Sequence, residues 1–468
     1  MKKIILAAAL AAICLSSKAQ ELQTGYFSSV YAYSYNLNPA FHSNYSIVAL
    51  PVIGSTSLGF LGNIGMASLL YPQNGNLVTF MHPDVSAEDA LAKFNNGSNL
   101  ISTDVSANLL SIGVRTGKLY NVIDLSLRAS VDGSLPYDLF RFLKTGTSET
   151  DSYDFSGLNF RGTAFAQIGI GSSWKRGDLT IGVKMKGLVG LAGLDVKMDR
   201  MNMRLTGDEW TVSADGTLSG AYDAMKIATK KSSTGAYSDI IDFENSEFDK
   251  RLGFNGFGLA VDFGLAYKVG PVVLSAAVTD LGGINWFNNL RGRTAVNDWK
   301  YSGSKDIDLD EGSTIGDELS NVADEFSELF EFRKEDEESE MRMLPATVRV
   351  GAKYNVVKNF SVGLLGTYKF NSLVPYREAR VALNYNPFKA LDITGSAGVS
   401  NYGATLGGLL NIKIPGFTLF FGMESILGKI SPQGIPLEKM NSRVPISLGD
   451  GQEILIQVDF CPDSKPVS

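Results

Sequence analysis

The clearest pattern in the sequence is an alternation of large apolar with small or charged residues between Phe257 and Lys268. The large apolar positions are Phe257, Leu259, Val261, Phe263, Leu265 and Tyr267. A period of two indicates an extended strand, because successive side chains point to opposite faces. The apolar face is about ten residues long, which is the length that a tilted strand needs to cross a bilayer.

The same alternation recurs along most of the chain. It predicts strands at 104–115, 120–131, 162–174, 178–190, 194–206, 209–219, 271–281, 345–355, 359–370, 377–386, 390–400, 404–414, 416–427 and 453–460. Lipid admits only helices or closed barrels, since every backbone polar group must be paired internally. Beyond the N-terminus no run of about 18 apolar residues occurs. We therefore predict an all-β fold, a transmembrane antiparallel β-barrel of about 14 strands, with 12 to 16 open.

Two short helices are predicted in the N-terminal third of the chain. Ser86 is followed three residues later by Asp89, and this pair predicts a capped helix that runs to about Phe94. Pro136 at a first turn predicts a second helix that runs to about Leu143. The fold should therefore carry a few helical segments outside its strands.

Two long segments interrupt the strands. Residues 222–250 show no period and predict a loop, and 283–344 form a polar, acidic loop insert. Within the insert, closely spaced carboxylates are weak candidates for Ca²⁺ ligands: Asp306, Asp308, Asp310 and Asp317. Glu311 stands where a loop of the EF-hand type needs glycine, so a solvated acidic loop is the other interpretation.

An amphipathic helix is predicted inside the same insert. Its apolar residues recur at helical spacing: Ile315, Leu319, Val322, Phe326 and Leu329. The helix could dock an envelope protein partner through 305–340, or it could pack on the rim of its own barrel. Both interpretations fit an apolar stripe surrounded by acidic residues.

Residues 1–19 have the features of a secretory signal peptide. Lys2 and Lys3 precede an apolar run, and Ala19 ends a small-residue cleavage site. Removal of this segment leaves 39 basic and 49 acidic residues, a formal charge of −10 that argues against nucleic-acid binding. Cys461 would then be the single cysteine, which excludes an internal disulfide. Export together with a barrel fold predicts that the protein is located in the outer membrane of a Gram-negative bacterium.

Charged residues fall on the polar faces of the predicted strands. Because charges face lipid only at high cost, they should line the lumen or lie near the rims; the candidates are Arg128, Lys184, Asp262, Arg349, Lys353, Lys369 and Arg380. A packed interior of paired charges and a polar conduit or chamber both fit. His42 and His82 lack partners at the spacing of a catalytic triad or metal site, so we predict neither an enzyme nor a cofactor.

Several stretches together carry a resemblance: Asn38-Pro39-Ala40, Leu50-Pro51-Val52, 102–113, 135–143 and 382–387. The set resembles an outer-membrane β-barrel family of Bacteroidota whose function is unknown. Its Asn-Pro-Ala is also distantly similar to that of long-chain fatty-acid transporter (FadL-like) barrels. The latter resemblance implies 14 strands, a hydrophobic ligand path and an N-terminal plug that contains Asn38, Pro39 and Ala40.

The predicted organisation is a signal peptide at 1–19, a barrel at 20–460 and a C-terminal tail at 461–468, with a plug or N-terminal segment within 20–60. The resemblance implies passive uptake of a small hydrophobic molecule through a plugged barrel seated in outer-membrane lipid. The alternative is a structural or assembly component of an envelope or secretion machine, which docks partner proteins.

Overall fold

A computed structural model describes residues 22–294, 299–301, 332–424 and 455–460. Short gaps within these ranges fall at 29, 43–45, 50–55, 74–75, 147–149, 207–208, 223–224, 232–237, 249–252, 288, 389 and 415–416. The predicted signal peptide and the C-terminal tail at 461–468 lie outside the described residues, as does the predicted docking helix.

Short helices occupy the N-terminal third of the chain. They are a 3₁₀ helix (Gln23–Phe27), α1 (Ser34–Leu37), α2 (Met66–Leu69), α3 (Ala87–Leu91) and α4 (Tyr137–Thr145). The Ser86 hydroxyl accepts a hydrogen bond from the Asp89 backbone N–H at 3.0 Å, so the predicted cap of α3 is confirmed. None of the helices in the described ranges is both long and apolar enough to cross a membrane.

Strands make up most of the described chain. In chain order they are β1 (Ile47–Ala49), β2 (Thr56–Gly62), β3 (Leu70–Gln73), β4 (Asn76–Thr79), β5 (Ser98–Thr116), β6 (Leu119–Pro136), β7 (Thr150–Asp154), β8 (Asn159–Arg176), β9 (Leu179–Thr206), β10 (Glu209–Ala221), β11 (Met225–Lys230), β12 (Ile240–Phe248), β13 (Gly256–Val269), β14 (Val272–Trp286), β15 (Asn289–Thr294), β16 (Trp299–Tyr301), β17 (Phe332–Glu335), β18 (Glu340–Met343), β19 (Thr347–Val357), β20 (Phe360–Lys369), β21 (Tyr376–Phe388), β22 (Leu391–Ser400), β23 (Gly403–Ile414), β24 (Phe417–Met423) and β25 (Leu455–Phe460). All their pairings are antiparallel, as predicted.

The wall of the barrel is a closed circuit of strand pairs. β1 and β2 pair with two parts of one edge of β5, so they count as a single interrupted strand. The circuit runs β1/β2, β5, β6, β8, β9, β13, β14, β19, β20, β21, β22, β23, β24, β25. Val48 closes it, because this residue lies opposite both Ile112 on β5 and Phe460 on β25. The described chain thus forms a fourteen-stranded transmembrane β-barrel, and the predicted fold is confirmed.

The outer face of the wall is apolar. On β13, Phe263 is 49% exposed whereas its neighbour Asp262 is 0% exposed. The same alternation continues on the other spanning strands, whose exposed side chains include Ile123, Ile168, Met185, Val350, Leu383 and Ile393. A continuous apolar belt of this kind is the surface that a barrel presents to lipid.

The two ends of the barrel differ in their connections. At one end the turns are tight, and Gly117, Gly177 and Gly270 adopt φ of +60°, +61° and +57° there, which glycine tolerates without steric cost. At the other end the chain makes long excursions between β2 and β5, β6 and β8, β9 and β13, and β14 and β19. We refer to these as the short-turn end and the long-loop end.

The excursions at the long-loop end contain strands that the sequence pattern missed. The loop predicted at 222–250 is wrong, because β11 and β12 pair with each other there. Ile240 and Ile241 on β12 are both buried, so this strand has no period of two to detect. The predicted strands 178–190 and 194–206 are one strand, β9, which continues through a register shift opposite Ala164 and Phe165. The 283–344 insert likewise includes β15 to β18.

The apolar belt predicts that a charged residue on the outer face destabilises the barrel by an amount that depends on its depth in the bilayer. Phe263→Arg, near the middle of β13, should lower the free energy of unfolding by about 2–4 kcal/mol, whereas Tyr267→Arg near the short turn should cost about 0–1 kcal/mol. Denaturant titration of both variants in lipid vesicles measures the difference. Equal costs at the two positions would contradict the assignment of the bilayer to this belt.

Candidate functional site: the barrel interior

The first described residues fill the barrel instead of contributing to its wall. We term residues 22–42 the plug segment. Its side chains are bonded to strands around much of the ring: the Ser28 hydroxyl donates to Asp392 on β22 at 3.0 Å, and Tyr35 bonds Ser111 on β5 at 2.8 Å. An aromatic cluster of the plug, which includes Tyr26 and Phe27, packs between the walls. The interior toward the short turns is therefore occupied by the protein's own chain.

Asn38, Pro39 and Ala40 lie inside the barrel against β9, β13 and β14. Asn38 is 0% exposed. Its side-chain amide donates to the Tyr26 hydroxyl at 3.1 Å and its Oδ1 accepts from the Ala40 N–H at 2.9 Å. The same amide lies 3.4 Å from the backbone oxygen of Leu265 on the wall. Asn38 thus joins the plug segment to itself and to β13.

Glycines on the inner face make room for this contact. A Cβ on Gly182 would lie 2.0 Å from the Pro39 carbonyl oxygen, and one on Gly264 would lie 2.1 Å from Asn38 Oδ1. A Cβ on Gly363 would lie 2.2 Å from the Phe27 ring. Glycine at these wall positions lets the plug backbone approach more closely than any other residue would allow.

The seven predicted lumen residues all point into the interior, and four of them contact the plug segment. Their bonds are Lys184 Nζ to Asn36 Oδ1 at 2.8 Å, Arg349 Nε to Gln23 Oε1 at 3.0 Å, Lys353 Nζ to the Phe27 carbonyl at 3.2 Å, and Arg380 Nη1 to Thr24 Oγ1 at 3.0 Å. Lys184 and Arg380 are also held in buried ion pairs, with Asp124 at 2.6 Å and with Glu378 at 2.7 Å. The plug is thus docked by cations that the wall supplies.

The remaining three, Arg128, Asp262 and Lys369, belong to ion pairs above the plug. Lys186 lies 2.7 Å from both Asp262 and Asp280, and Arg128 lies 2.8 Å from Asp280. Lys369 on β20 reaches Asp104 on β5, across the lumen, at 3.2 Å. Desolvated ion pairs fix the positions of their side chains, because removal of one partner leaves an uncompensated buried charge.

Sequence alternation alone does not place Asp280 inside. The β13–β14 register shifts by one residue here, so Thr279 and Asp280 both lie opposite Asp262. Asp280 takes a φ of +61°, uncommon for a residue with a side chain, and its N–H donates to Asp262 Oδ1 at 2.7 Å. The β-bulge thus points the Asp280 carboxylate into the lumen, where Arg128 and Lys186 both pair with it.

A cavity of about 360 Å³ lies between the plug and the long loops. Gln23 is the plug residue in its lining, together with side chains of β5, β6, β8, β14, β18 and β19. We term this cavity the chamber. Charged groups of both signs surround it, among them Arg128, Asp280 and Lys369, while an apolar wall is formed by Phe165, Ile284, Trp286 and Leu344. Its surface therefore suits a molecule with both apolar and polar parts.

Cross-lumen hydrogen bonds border the chamber on the side of β20. Asn371 donates to Asp132 Oδ2 at 3.0 Å, and Arg161 donates to the Ser372 hydroxyl at 2.8 Å. These bonds join the chain after β20 to β6 and β8, which lie on another part of the ring. On the side of β20, the chamber is consequently bounded by polar contacts.

Other predicted site residues fall outside the described chain. Asp306, Asp308, Asp310 and Asp317 do so, as do Ile315, Leu319, Val322, Phe326 and Leu329. In the described ranges no group of three or more His, Cys, Asp or Glu side chains could hold a metal ion. The Ca²⁺ ligands and the docking helix therefore stay predictions from the sequence.

The comparisons with known proteins give a family and a set of similar barrels. The profile of a family described as "Family of unknown function (DUF5723)" matches residues 39–424. No curated protein matches the sequence. The chain is similar to the crystal structure of the Ralstonia pickettii toluene transporter TbuX, with 10% identity, 92% of each chain covered and a TM-score of 0.42.

Two further solved structures are similar to the chain. The Pseudomonas putida toluene transporter TodX has 8% identity over 95% of this chain and 96% of that chain, with a TM-score of 0.40. The translocator domain of autotransporter NalP from Neisseria meningitidis has 9% identity over 85% of this chain and 91% of that chain, with a TM-score of 0.27. The family description assigns no activity, so the interior of this barrel is what bears on function.

The buried pair between Lys184 and Asp124 gives a stability prediction. Lys184→Met leaves the carboxylate buried without its cation and should cost about 3–5 kcal/mol of unfolding free energy, whereas adding Asp124→Leu should recover most of the loss. Lys197→Met is the control, because Lys197 and Asp199 are both 56% exposed and such pairs contribute about 0–1 kcal/mol. Denaturant titration of these three variants and the native protein in detergent tests this. A double variant no more stable than Lys184→Met would contradict it.

Proposed function

The chain belongs to the family of unknown function DUF5723, whose profile covers most of its length, and for this member we propose passive uptake of a small molecule across the outer membrane. The uptake path is the barrel interior, and residues 22–42 plug it. The observation that carries the proposal is the chamber of about 360 Å³ that lies directly against this plug.

The connections supply an orientation for the path. Bacterial outer-membrane barrels place short turns toward the periplasm and long loops outside the cell. On this basis the long-loop end, with the chamber, faces the exterior, and the plug segment lies between the chamber and the periplasm. The described strands of the 283–344 insert, β15 to β18, would then lie outside the cell. A molecule entering from outside meets the chamber first and the plug second.

The lining of the chamber supports a small molecule with an apolar body. Trp286 and Ile284 are each 1% exposed and Phe165 is 5% exposed, so this wall can bury apolar surface on one side of the chamber. A volume of about 360 Å³ is at the lower end of the range for small-molecule pockets. The charged groups opposite would orient the molecule. The transported species is accordingly expected to be small and largely hydrophobic.

A larger side chain at a wall position that contacts the plug segment should change the conductance of the barrel. Gly182→Ala places a Cβ 2.0 Å from the Pro39 carbonyl oxygen and should displace the plug segment, so the current through single barrels in a planar bilayer should rise severalfold. Gly395→Ala is the matched control, since a Cβ there meets nothing within 4 Å. An unchanged current in Gly182→Ala, with normal folding, would argue that residues 22–42 do not obstruct the path.

The apolar ligand is tested separately on the purified barrel. Native mass spectrometry in mild detergent, followed by solvent extraction, should find a stoichiometric small molecule that survives detergent exchange. A barrel that is empty in this measurement, combined with normal uptake of apolar compounds by a deletion strain, would remove the basis for the uptake proposal.

A further inference from the structure

We propose that the chamber binds the anionic head group of a small amphipathic molecule, with Arg342 as the principal contact and Gln23 as a second donor. The inference rests on the proposed uptake function and adds the chemical class of the molecule. That class is a carboxylate or a phosphate attached to an apolar body. The two anions share the property that matters here, which is several strong acceptor oxygens and no donor.

The first observation is a surplus of hydrogen-bond donors. Three buried side-chain nitrogens in the chamber lining have no hydrogen-bond partner in the described chain: Gln23 Nε2, Arg342 Nε and Arg342 Nη1. All three carry N–H bonds, and no buried side-chain acceptor of the described lining is left in the same condition. An unpaired buried donor is costly, so the chamber is chemically complementary to an acceptor.

Arg342 is held in place at the edge of the chamber. Its side chain is 9% exposed, and Nη2 donates to Glu340 Oε2 at 2.9 Å. That carboxylate oxygen also accepts from the Ser219 hydroxyl at 2.6 Å and from Asn289 Nδ2 at 3.1 Å. Glu340 therefore divides its charge among three donors and fixes one end of the guanidinium. The Nε and Nη1 groups remain for a ligand.

Gln23 presents a donor from the plug. The residue is 2% exposed, and its Oε1 accepts from Arg349 Nε at 3.0 Å. This bond sets the orientation of the amide, because an arginine can only donate. The amide nitrogen is consequently the end of Gln23 that has no partner. A molecule that accepts from Gln23 would touch the plug itself.

The apolar body has its own contact surface beside Arg342. The Arg342 guanidinium carbon lies 5.9 Å from the centre of the Trp286 ring, and Ile284, directly opposite Arg342 in the strand pairing, is buried. A head group on the arginine would therefore leave an attached ring or short alkyl chain next to Trp286. Charge recognition and apolar burial are adjacent in the same chamber.

Matched aromatic probes test the head group. The full barrel in detergent is titrated calorimetrically with benzoate, phenyl phosphate, benzamide and benzylamine, which differ in the charge of the substituent. Benzoate or phenyl phosphate should bind at least about tenfold more tightly than benzamide, and benzylamine should bind most weakly. The relative affinities of benzoate and phenyl phosphate show whether the chamber prefers a carboxylate or a phosphate.

Three variants assign the effect to named residues. Arg342→Gln should reduce the preference for the anion over benzamide to about threefold or less, and Arg342→Lys should retain part of it. Gln23→Glu keeps the acceptor for Arg349 but removes the donor, and should also weaken anion binding. Arg293→Gln is the control, because Arg293 is 60% exposed and does not line the chamber.

Several outcomes would overturn the inference. Equal affinities for benzoate and benzamide, a preference for benzylamine, binding of none of the probes, or an anion preference that survives Arg342→Gln would each do so. These failures are distinct from failure of the uptake function. A barrel whose conductance rises in Gly182→Ala but which does not discriminate the probes keeps the plugged path and loses the anionic head group.

Discussion

Complete pairing of the backbone around the ring is the constraint on which the rest of the structure depends. In lipid, an unpaired strand edge has no water to bond, so the wall must close on itself. Here closure is made by β1, a strand of only three residues that pairs on both sides. Once the ring is closed, its alternating faces are assigned: apolar side chains meet lipid, and polar ones meet the interior.

The interior is a second consequence of the same constraint. Charged residues that alternate inward need partners, and the wall and the plug supply them together. Lys184 and Arg380 illustrate this, since each is paired with a wall carboxylate and also bonded to a plug residue. A filled interior and a small-molecule path are thus compatible: the ion pairs hold the plug toward the short turns, and the chamber remains beyond it.

The sequence predicted the barrel well because its signal is a simple period. Phe263 and Asp262 follow the alternation and lie on opposite faces, as expected. Prediction failed where the period is broken. Asp280 enters the lumen through a bulge, and β12 buries two consecutive isoleucines, so neither can be found by counting every second residue. Gln23 and Arg342 were missed for another reason, because their roles depend on contacts between distant parts of the chain.

The seam between β1 and β25 has a consequence for the order of assembly. It joins Val48 to Phe460, two residues near opposite ends of the chain, and the plug segment lies immediately before β1. The wall cannot seal until both of these segments have been synthesised and brought together. The plug is then enclosed at the moment when these two segments meet, so its enclosure is a step in the assembly of the barrel.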